Sequence, residues 1–322
     1  MAVRPGFAEC FRSSQGILME GALGERLKNE YSIALHEQLA MAPLVESQQG
    51  RAALKELWQE YGRIAIRYRL PFIATTPTRR LNAERLSGSG YDASLAEKNT
   101  ALLREVKEQL QAEGLQEMYI GGMVGCRGDA YTGAGAIEDI GEAEAFHAFE
   151  AELFAAAGVD FLYAALQPCL PEAAGMARAL ARTGLPYIIS FTLQRDGRLA
   201  DGRFLSEAID YIDGAVIDAG RVPLCYMANC IHPDFAYEAL RQPINQFDVV
   251  RERFCGIQAN ASAAGYDMLE HGLKLPHSGA DELAEGMLRL RKLCDCRIFG
   301  GCCGTDGSHV GAVARRLAEV KF

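Results

Sequence analysis

Several features that would place this chain in other classes of protein are absent from its sequence. No uncharged run reaches the length of a membrane-spanning helix, and Met1–Gly6 contains no apolar core of a secretory signal peptide. Ten cysteines in 322 residues are too few for a disulfide scaffold. We therefore expect a cytoplasmic protein, where cysteines are thiols or metal ligands.

The charge pattern also excludes two kinds of partner. The formal net charge is -9, and the arginines and lysines are dispersed among carboxylates instead of forming a basic stripe. We therefore expect no nucleic-acid surface and no contact with an acidic membrane.

Nothing in the composition divides the chain into domains. No low-complexity tract or proline- and serine-rich linker interrupts it, and 49% of its residues are apolar, which is ample for one large core. The sequence therefore predicts a single domain over residues 1–322.

Eight short apolar runs alternate with helical patterns, as in a parallel sheet that is covered on both faces. The predicted strands are Ile17–Glu20, Phe72–Thr76, Met118–Met123, Phe161–Leu166, Tyr187–Thr192, Leu224–Asn229, Gly256–Asn260 and Arg297–Gly301. Eight such strands at this length predict a TIM-type (β/α)8 barrel, an α/β fold. Residues 1–15 are predicted to be an N-terminal extension that closes the bottom of the barrel. The alternative is an open doubly wound sheet, but no Gly-x-Gly-x-x-Gly follows the first strand.

Two helical segments carry clear signals. Apolar residues recur at three- and four-residue steps from Leu54 to Tyr68, which predicts an amphipathic helix. Ser278, followed by Asp281 and Glu282, predicts the capped start of a helix through Leu283–Leu293.

Three cysteines stand where a predicted strand gives way to a loop. Cys230 follows one apolar run, and the adjacent pair Cys302 and Cys303 follows another. In a parallel α/β protein, the carboxyl ends of the strands carry the chemistry. Gly300, Gly301 and Gly304 provide the backbone freedom to turn both sulfurs of the pair toward one point. Three thiolates form an incomplete tetrahedral set, which predicts a catalytic zinc ion with one open position.

Other candidate metal ligands are weaker. His232 lies two residues after Cys230 and could be a further ligand, whereas His309 is better explained as a capping or solvated residue. The remaining cysteines considered are interpreted as buried small side chains or inert thiols. These are Cys10, Cys169, Cys225, Cys255, Cys294 and Cys296.

Four polar residues also fall at strand ends on the predicted rim and are candidate substrate-binding residues: Glu20, Thr76, Asn229 and Asn260. A carboxylate between apolar Met19 and Gly21 is better explained by a ligand amine than by a charged loop. Asn260 either binds substrate or hydrogen-bonds to a loop, and the sequence does not decide between these roles.

The motifs around these residues resemble those of the homocysteine S-methyltransferase family. Asn229-Cys230 and Gly301-Cys302-Cys303-Gly304-Thr305 are similar to the zinc motifs of that family, and Leu18–Gly24 is similar to its first-strand signature. Gly125–Tyr131 and Gly158–Leu162 fall between them in the family's order. The resemblance implies a zinc-dependent methyltransferase that transfers a methyl group to a zinc-bound thiol, by default homocysteine, in a pathway of methionine biosynthesis.

The sequence departs from the family pattern at positions that matter for the substrate. The family's fourth-strand glutamate, which helps to bind the amino group of homocysteine, falls on Ala165, and its first-strand aspartate is Glu20. After the second strand, this chain has Arg79 and Arg80. We therefore hypothesise an anion-binding role for these two arginines and a substrate that is more anionic than homocysteine or lacks its free amine. The alternative is that both arginines point into solvent.

The resemblance leaves the methyl donor open. Short relatives use S-methylmethionine or S-adenosylmethionine, longer ones use betaine, and multidomain relatives use folate through cobalamin. The partners expected are therefore a small thiol and a methyl donor, with a corrinoid protein as the alternative. A competing hypothesis is that the protein is a non-catalytic zinc-binding barrel that stores or senses metal or redox state.

Overall fold

The computed structural model describes residues 5–219, 221–262 and 278–319. Eight parallel strands close into one barrel in the order β1 to β8, with β1 paired to both β2 and β8. The strands are β1 (Ile17–Met19), β2 (Phe72–Thr75), β3 (Met118–Gly125), β4 (Phe161–Gln167), β5 (Tyr187–Phe191), β6 (Cys225–Ile231), β7 (Phe254–Ala259) and β8 (Ile298–Gly301). The predicted single-domain (β/α)8 barrel is confirmed, and each predicted strand overlaps an observed one.

Helices connect the strands and cover the outside of the barrel. The α-helices in the described part of the chain are α1 (Phe7–Ser13), α2 (Gly24–Asn29), α3 (Gln48–Tyr68), α4 (Ala83–Leu86), α5 (Ser94–Ala112), α6 (Ile140–Ala157), α7 (Leu170–Arg182), α8 (Leu205–Val216), α9 (Pro233–Leu240), α10 (Asp248–Arg253), α11 (Ala280–Arg289) and α12 (Gly307–Glu319). Short 3-10 turns lie at Ala42–Glu46, Ile217–Ala219, Pro243–Asn245 and Leu290–Lys292. None of the helices in the described ranges is long and apolar enough to cross a membrane.

The alternation of side chains along each strand separates two cores. In β1, Leu18 packs in the layer between barrel and helices, whereas Ile17 and Met19 pack inside the barrel. Leu54, Leu57 and other apolar residues of α3 are fully buried in the outer layer, as the helical periodicity predicts. The barrel interior is therefore a packed core, and the space for ligands lies at its ends.

The N-terminal segment covers one of these ends. The Phe7 ring of α1 stacks on the ring of Phe161, the first residue of β4, with 4.1 Å between centroids. Phe7, Cys10 and Phe11 share the interior cluster, and the Tyr119 hydroxyl donates a hydrogen bond to the Pro5 carbonyl at 3.0 Å. The amino ends of the strands are thus closed by α1.

The helix predicted after Ser278 differs in its bounds. It begins at Ala280 and ends at Arg289, and its N-cap residue is Gly279, which has no side chain for capping. The Ser278 hydroxyl lies 3.1 Å from Nε2 of His232 and not at the helix start. The prediction of a serine cap was therefore wrong, because a tertiary contact takes up this hydroxyl.

Candidate metal centre

The three predicted cysteines converge at the carboxyl ends of β6 and β8. The Sγ atoms of Cys230, Cys302 and Cys303 all lie within 4.8 Å of one another. Cys230 Sγ is 3.5 Å from Cys303 Sγ, which is 4.0 Å from Cys302 Sγ. Cys230 is buried, whereas Cys302 and Cys303 are partly exposed, so the cluster has one accessible side.

A local irregularity in β6 aims Cys230 into this cluster. Cys230 has a φ of 54°, and the register between β6 and β7 shifts between Asn229 and Ile231. On a regular strand, Asn229 and Cys230 would point to opposite faces. The extra residue and the left-handed backbone allow both side chains to face the barrel mouth.

The loop after β8 holds the other two cysteines. Gly304 has a φ of 74°, which favours glycine, and a Cβ on Gly301 would lie 2.2 Å from the Thr305 hydroxyl. That hydroxyl donates to the Cys302 carbonyl at 2.6 Å and accepts from the Ala22 amide at 3.1 Å. The glycines thus allow a tight turn, and Thr305 joins the cysteine loop to the segment that follows β1.

The spacing of the sulfurs fits one tetrahedral metal ion. Zinc bonds to thiolate of about 2.3 Å place neighbouring sulfur ligands about 3.8 Å apart. The observed separations of 3.5 and 4.0 Å lie on either side of that value. Three sulfur ligands and an accessible side are the set that a catalytic ion with one open position requires.

Polar groups surround the Cys230 sulfur. The Tyr131 hydroxyl and Nδ2 of Asn260 each lie 3.7 Å from it and donate toward it. The pKa of Cys230 lies well below its usual value, mainly because the Cys302 and Cys303 thiols donate to its sulfur, with a smaller contribution from Tyr131. The surroundings of this sulfur therefore favour the thiolate that a metal needs.

Asn229 is the centre of a buried hydrogen-bond network. Its Nδ2 donates to the Tyr163 hydroxyl at 2.8 Å and to Oε1 of Gln258 at 2.5 Å, and its Oδ1 accepts from the Leu166 amide at 3.0 Å. Only 3% of Asn229 is exposed. These bonds use both amide hydrogens, so the geometry favours a role in positioning Cys230 over direct contact with substrate.

Glu20 is a buried carboxylate without an ion-pair partner in the described ranges. Its Oε2 accepts from Nε1 of Trp58 at 2.8 Å, and its Oε1 accepts from the amide and hydroxyl of Thr75. Burial raises the pKa of Glu20 to about 7, although these hydrogen bonds act to lower it. Its Oε2 retains a lone pair, and a buried carboxylate of this kind is typical of functional sites.

Asn260 and Thr76 are both bonded within the protein. Asn260 Oδ1 accepts from the Ser262 amide at 2.8 Å, so the loop-bonding alternative is observed for this residue. The Thr76 hydroxyl lies 2.7 Å from the Thr78 hydroxyl and accepts from the Met123 amide at 3.0 Å. Thr76 therefore links the end of β2 to β3.

Arg79 and Arg80 differ in their contacts. Arg80 Nη1 donates to the Glu37 carbonyl at 3.3 Å, outside the three-cysteine cluster. Arg79 is near the cluster: hydrogen bonding to Cys230 raises the pKa of Cys303 to about 12, and the positive charge of Arg79 acts in the opposite sense.

The two candidate histidines have other partners. Nδ1 of His232 accepts from the Asp234 amide at 3.3 Å and so caps α9, and its Nε2 contacts Ser278. Nδ1 of His309 lies 2.8 Å from Oδ1 of Asp306, as expected for a capping role. The metal-type cluster found in the described ranges contains neither. The six cysteines assigned to packing are all buried.

Tyr131 and the charged group that supports its loop were not predicted from the sequence. His147 of α6 lies 3.0 Å from both Glu150 and Glu172, and all three are almost fully buried. Glu172 also accepts from the amides of Arg127, at 2.6 Å, and Ile137, at 3.1 Å. These bonds hold the loop that carries Tyr131. Burial lowers the pKa of His147, but the two carboxylates outweigh it and raise the pKa to about 9.

Fold and site together define a (β/α)8-barrel protein with a three-thiol centre at the carboxyl ends of the strands, the usual place of the active site in this fold. The chain belongs to the homocysteine S-methyltransferase family, because the sequence model of that family matches residues 17–317. It is a methyltransferase that acts on a thiol.

Solved structures agree with this fold. The homocysteine methyltransferase MmuM from Escherichia coli in its metallated form is 22% identical, with a TM-score of 0.75 over 95% of this chain and 98% of that one. Its oxidised form has the same identity and TM-score, over 95% of this chain and 97% of that one. At this identity, the likeness concerns the fold. No curated protein matches the sequence significantly.

Proposed function

We propose that this methyltransferase holds one zinc ion between Cys230, Cys302 and Cys303 and transfers a methyl group to a thiol bound beside them, with homocysteine as the default acceptor. The observation that carries the proposal is the convergence of three sulfurs from two strand ends within 4.8 Å, with one accessible side. The metallated form of MmuM supports a metal in this fold.

Zinc, when bound, lowers the pKa of a thiol at its open position, so that the sulfur is a nucleophile at neutral pH. The protein supplies the rest. Tyr131 and Asn260 donate toward the Cys230 sulfur, and Asn229 fixes the strand beside it. Because the methyl group moves in one in-line displacement, the main contribution of the protein is alignment of the two substrates.

Glu20 is proposed to bind the amino group of an amino-acid thiol. Its carboxylate is buried at the end of β1 and has no cationic partner in the parts of the chain described. Glu20→Gln should then raise the KM for homocysteine and leave the KM for 3-mercaptopropionate, which has no amine, unchanged. An equal effect on both thiols would remove Glu20 from the substrate site.

A donor panel tests the whole proposal. The zinc-loaded protein is incubated with homocysteine and other thiols and with labelled S-methylmethionine, S-adenosylmethionine, betaine or a methylated corrinoid. We expect transfer from one donor class, and loss of transfer in Cys303→Ala. A corrinoid donor would assign the chain to a corrinoid-dependent system. Full zinc content without transfer from any donor would instead favour a non-catalytic zinc-binding barrel.

A further inference from the structure

The segment after β2 is fixed to β3 by paired hydroxyls. Thr76 accepts from the Met123 amide, and the Thr78 hydroxyl donates to the Met123 carbonyl at 2.9 Å. Thr76 and Thr78 are buried and contact each other at 2.7 Å. The backbone that leads into Arg79 is thus held on both sides of Met123.

Arg79 itself lies across the end of β3. A Cβ on Gly125 would be 2.3 Å from the Arg79 carbonyl and 2.6 Å from its Cγ, so only glycine leaves room for this arginine. Gly125 is paired in register with Ala165 of β4. The arginine therefore packs against β3. On the neighbouring strand β4, the paired position carries the buried methyl group of Ala165, where the family pattern has a glutamate.

Arg79 has no direct polar partner in the described ranges. No hydrogen bond or ion pair of its guanidinium is found there, although the side chain is half-buried. Arg80 and Arg85 do have partners, the carbonyls of Glu37 and Arg127 respectively. Oδ1 of Asp129, on the next loop, accepts from the amides of Tyr131 and Thr132; burial raises the Asp129 pKa, whereas these bonds and, more weakly, the charge of Arg79 lower it.

Other cations are close to the same place. Burial lowers the pKa of Arg80, and the positive charges of Arg79 and Arg85 lower it further. This part of the rim therefore carries three guanidinium groups, and one of them, Arg79, packs beside the strand end that leads into Cys126 and the cysteine cluster. A planar guanidinium in such a position suits a carboxylate, sulfonate or phosphate.

We propose that Arg79 is an anion subsite for the acceptor, so that the preferred thiol carries a carboxylate, sulfonate or phosphate group. This inference rests on the proposed function, because it takes the acceptor sulfur to bind at the three cysteines. Arg79 is on the acceptor side because it packs against Gly125, and the next residue, Cys126, lies in one cluster with Cys230. Arg80, bonded to Glu37, is outside the subsite.

Matched thiols test the subsite. Binding to the zinc-loaded protein is measured by calorimetry for 3-mercaptopropionate and its neutral amide, and for 2-mercaptoethanesulfonate, 2-mercaptoethyl phosphate and 2-mercaptoethanol. We expect the anionic thiols to bind about ten- to a hundredfold more tightly than their neutral counterparts. The order among carboxylate, sulfonate and phosphate identifies which anion the subsite takes.

Variants assign the preference to Arg79. Arg79→Gln should abolish the preference without changing zinc content, and Arg79→Lys should retain part of it. Arg80→Gln is the matched control and should behave as the wild type.

The results that would contradict the anion subsite differ from those that would contradict the proposed function. If the wild type binds zinc and thiols but does not prefer anions, the subsite is wrong and the proposed function stands. An anion preference that survives in Arg79→Gln also overturns the subsite. If the wild type binds no zinc or no thiol, the proposed function itself fails. The comparison of thiols on the wild type does not depend on any variant folding.

Discussion

The side chain of Asn229 joins the two irregular strands of the barrel mouth by accepting the Leu166 amide hydrogen at 3.0 Å. Leu166 has a φ of 57°, next to a register shift in β4, and Cys230, the neighbour of Asn229, has a φ of 54° in β6. A non-glycine residue in this region needs support from its surroundings. The amide of Asn229 supplies that support to both strands.

Replacement of Asn229 should therefore weaken metal binding. We expect Asn229→Ala to lower zinc affinity by about 10- to 100-fold, the usual effect of losing a group that orients a ligand. Competition with a chromophoric chelator measures this. Asn229→Asp keeps the acceptor for Leu166 but loses both donors. Its zinc affinity should lie between those of the wild type and Asn229→Ala. Unchanged affinity in Asn229→Ala would show that β6 keeps its shape without this side chain.

Single cysteine variants test the ligand set. We expect about one zinc per chain in the wild type and a marked loss in each of Cys230→Ala, Cys302→Ala and Cys303→Ala, measured by elemental analysis. Cys126→Ala is the matched control, because Cys126 packs in the same cluster but directs its thiol to the Gly128 carbonyl at 3.6 Å. Full zinc retention by all three ligand variants would contradict the site.

Binding of the acceptor should change the surroundings of the metal. X-ray absorption of the zinc-loaded protein should show an average of about three sulfur ligands, rising to about four when the preferred thiol is added. Because the thiol must lose its proton, binding should also acidify a weakly buffered solution. A sulfur shell that stays constant during turnover would rule out activation of the thiol by the metal.

The buried group around His147 predicts a pH dependence of stability. The pKa of His147 is raised to about 9, so the folded protein holds this proton more tightly than the unfolded chain does. The stabilisation is fully present below about pH 6.5, amounts to about 3 kcal/mol, and is lost as the pH rises through about 9. Urea unfolding of the wild type and His147→Gln between pH 6.5 and 10 measures it.

In that experiment, the free energy of unfolding of His147→Gln should be lower at pH 7 and nearly independent of this titration. His36→Gln, which changes a half-buried histidine outside this network, should keep the wild-type slope. Parallel curves for the wild type and His147→Gln would show that the network does not bind the proton as proposed.

Much of the architecture was predictable from the sequence because apolar runs define buried parallel strands. Eight such runs predict the closed barrel, and the barrel brings Cys230 and Cys302 together although 71 residues separate them. The orientation of the individual side chains was not predictable. Cys230 adopts a left-handed backbone without being a glycine, because contacts from other strands hold it there.

Long-range contacts also explain the other differences. Thr76 and Asn229 lie on the rim as predicted, but their polar atoms bond to Met123 and Leu166, which the sequence pattern could not indicate. His147 meets Glu172 only when α6 and α7 pack together. Tyr131 reaches Cys230 through a loop whose course depends on that contact.

The stacking of Phe7 on Phe161 has a consequence for the order of events during turnover. Because α1 covers the amino end of the barrel and the interior is packed, a molecule can approach the three cysteines only from the carboxyl end of the strands. Under the proposed function, thiol and methyl donor would share this one entrance, so the order in which they bind matters for turnover.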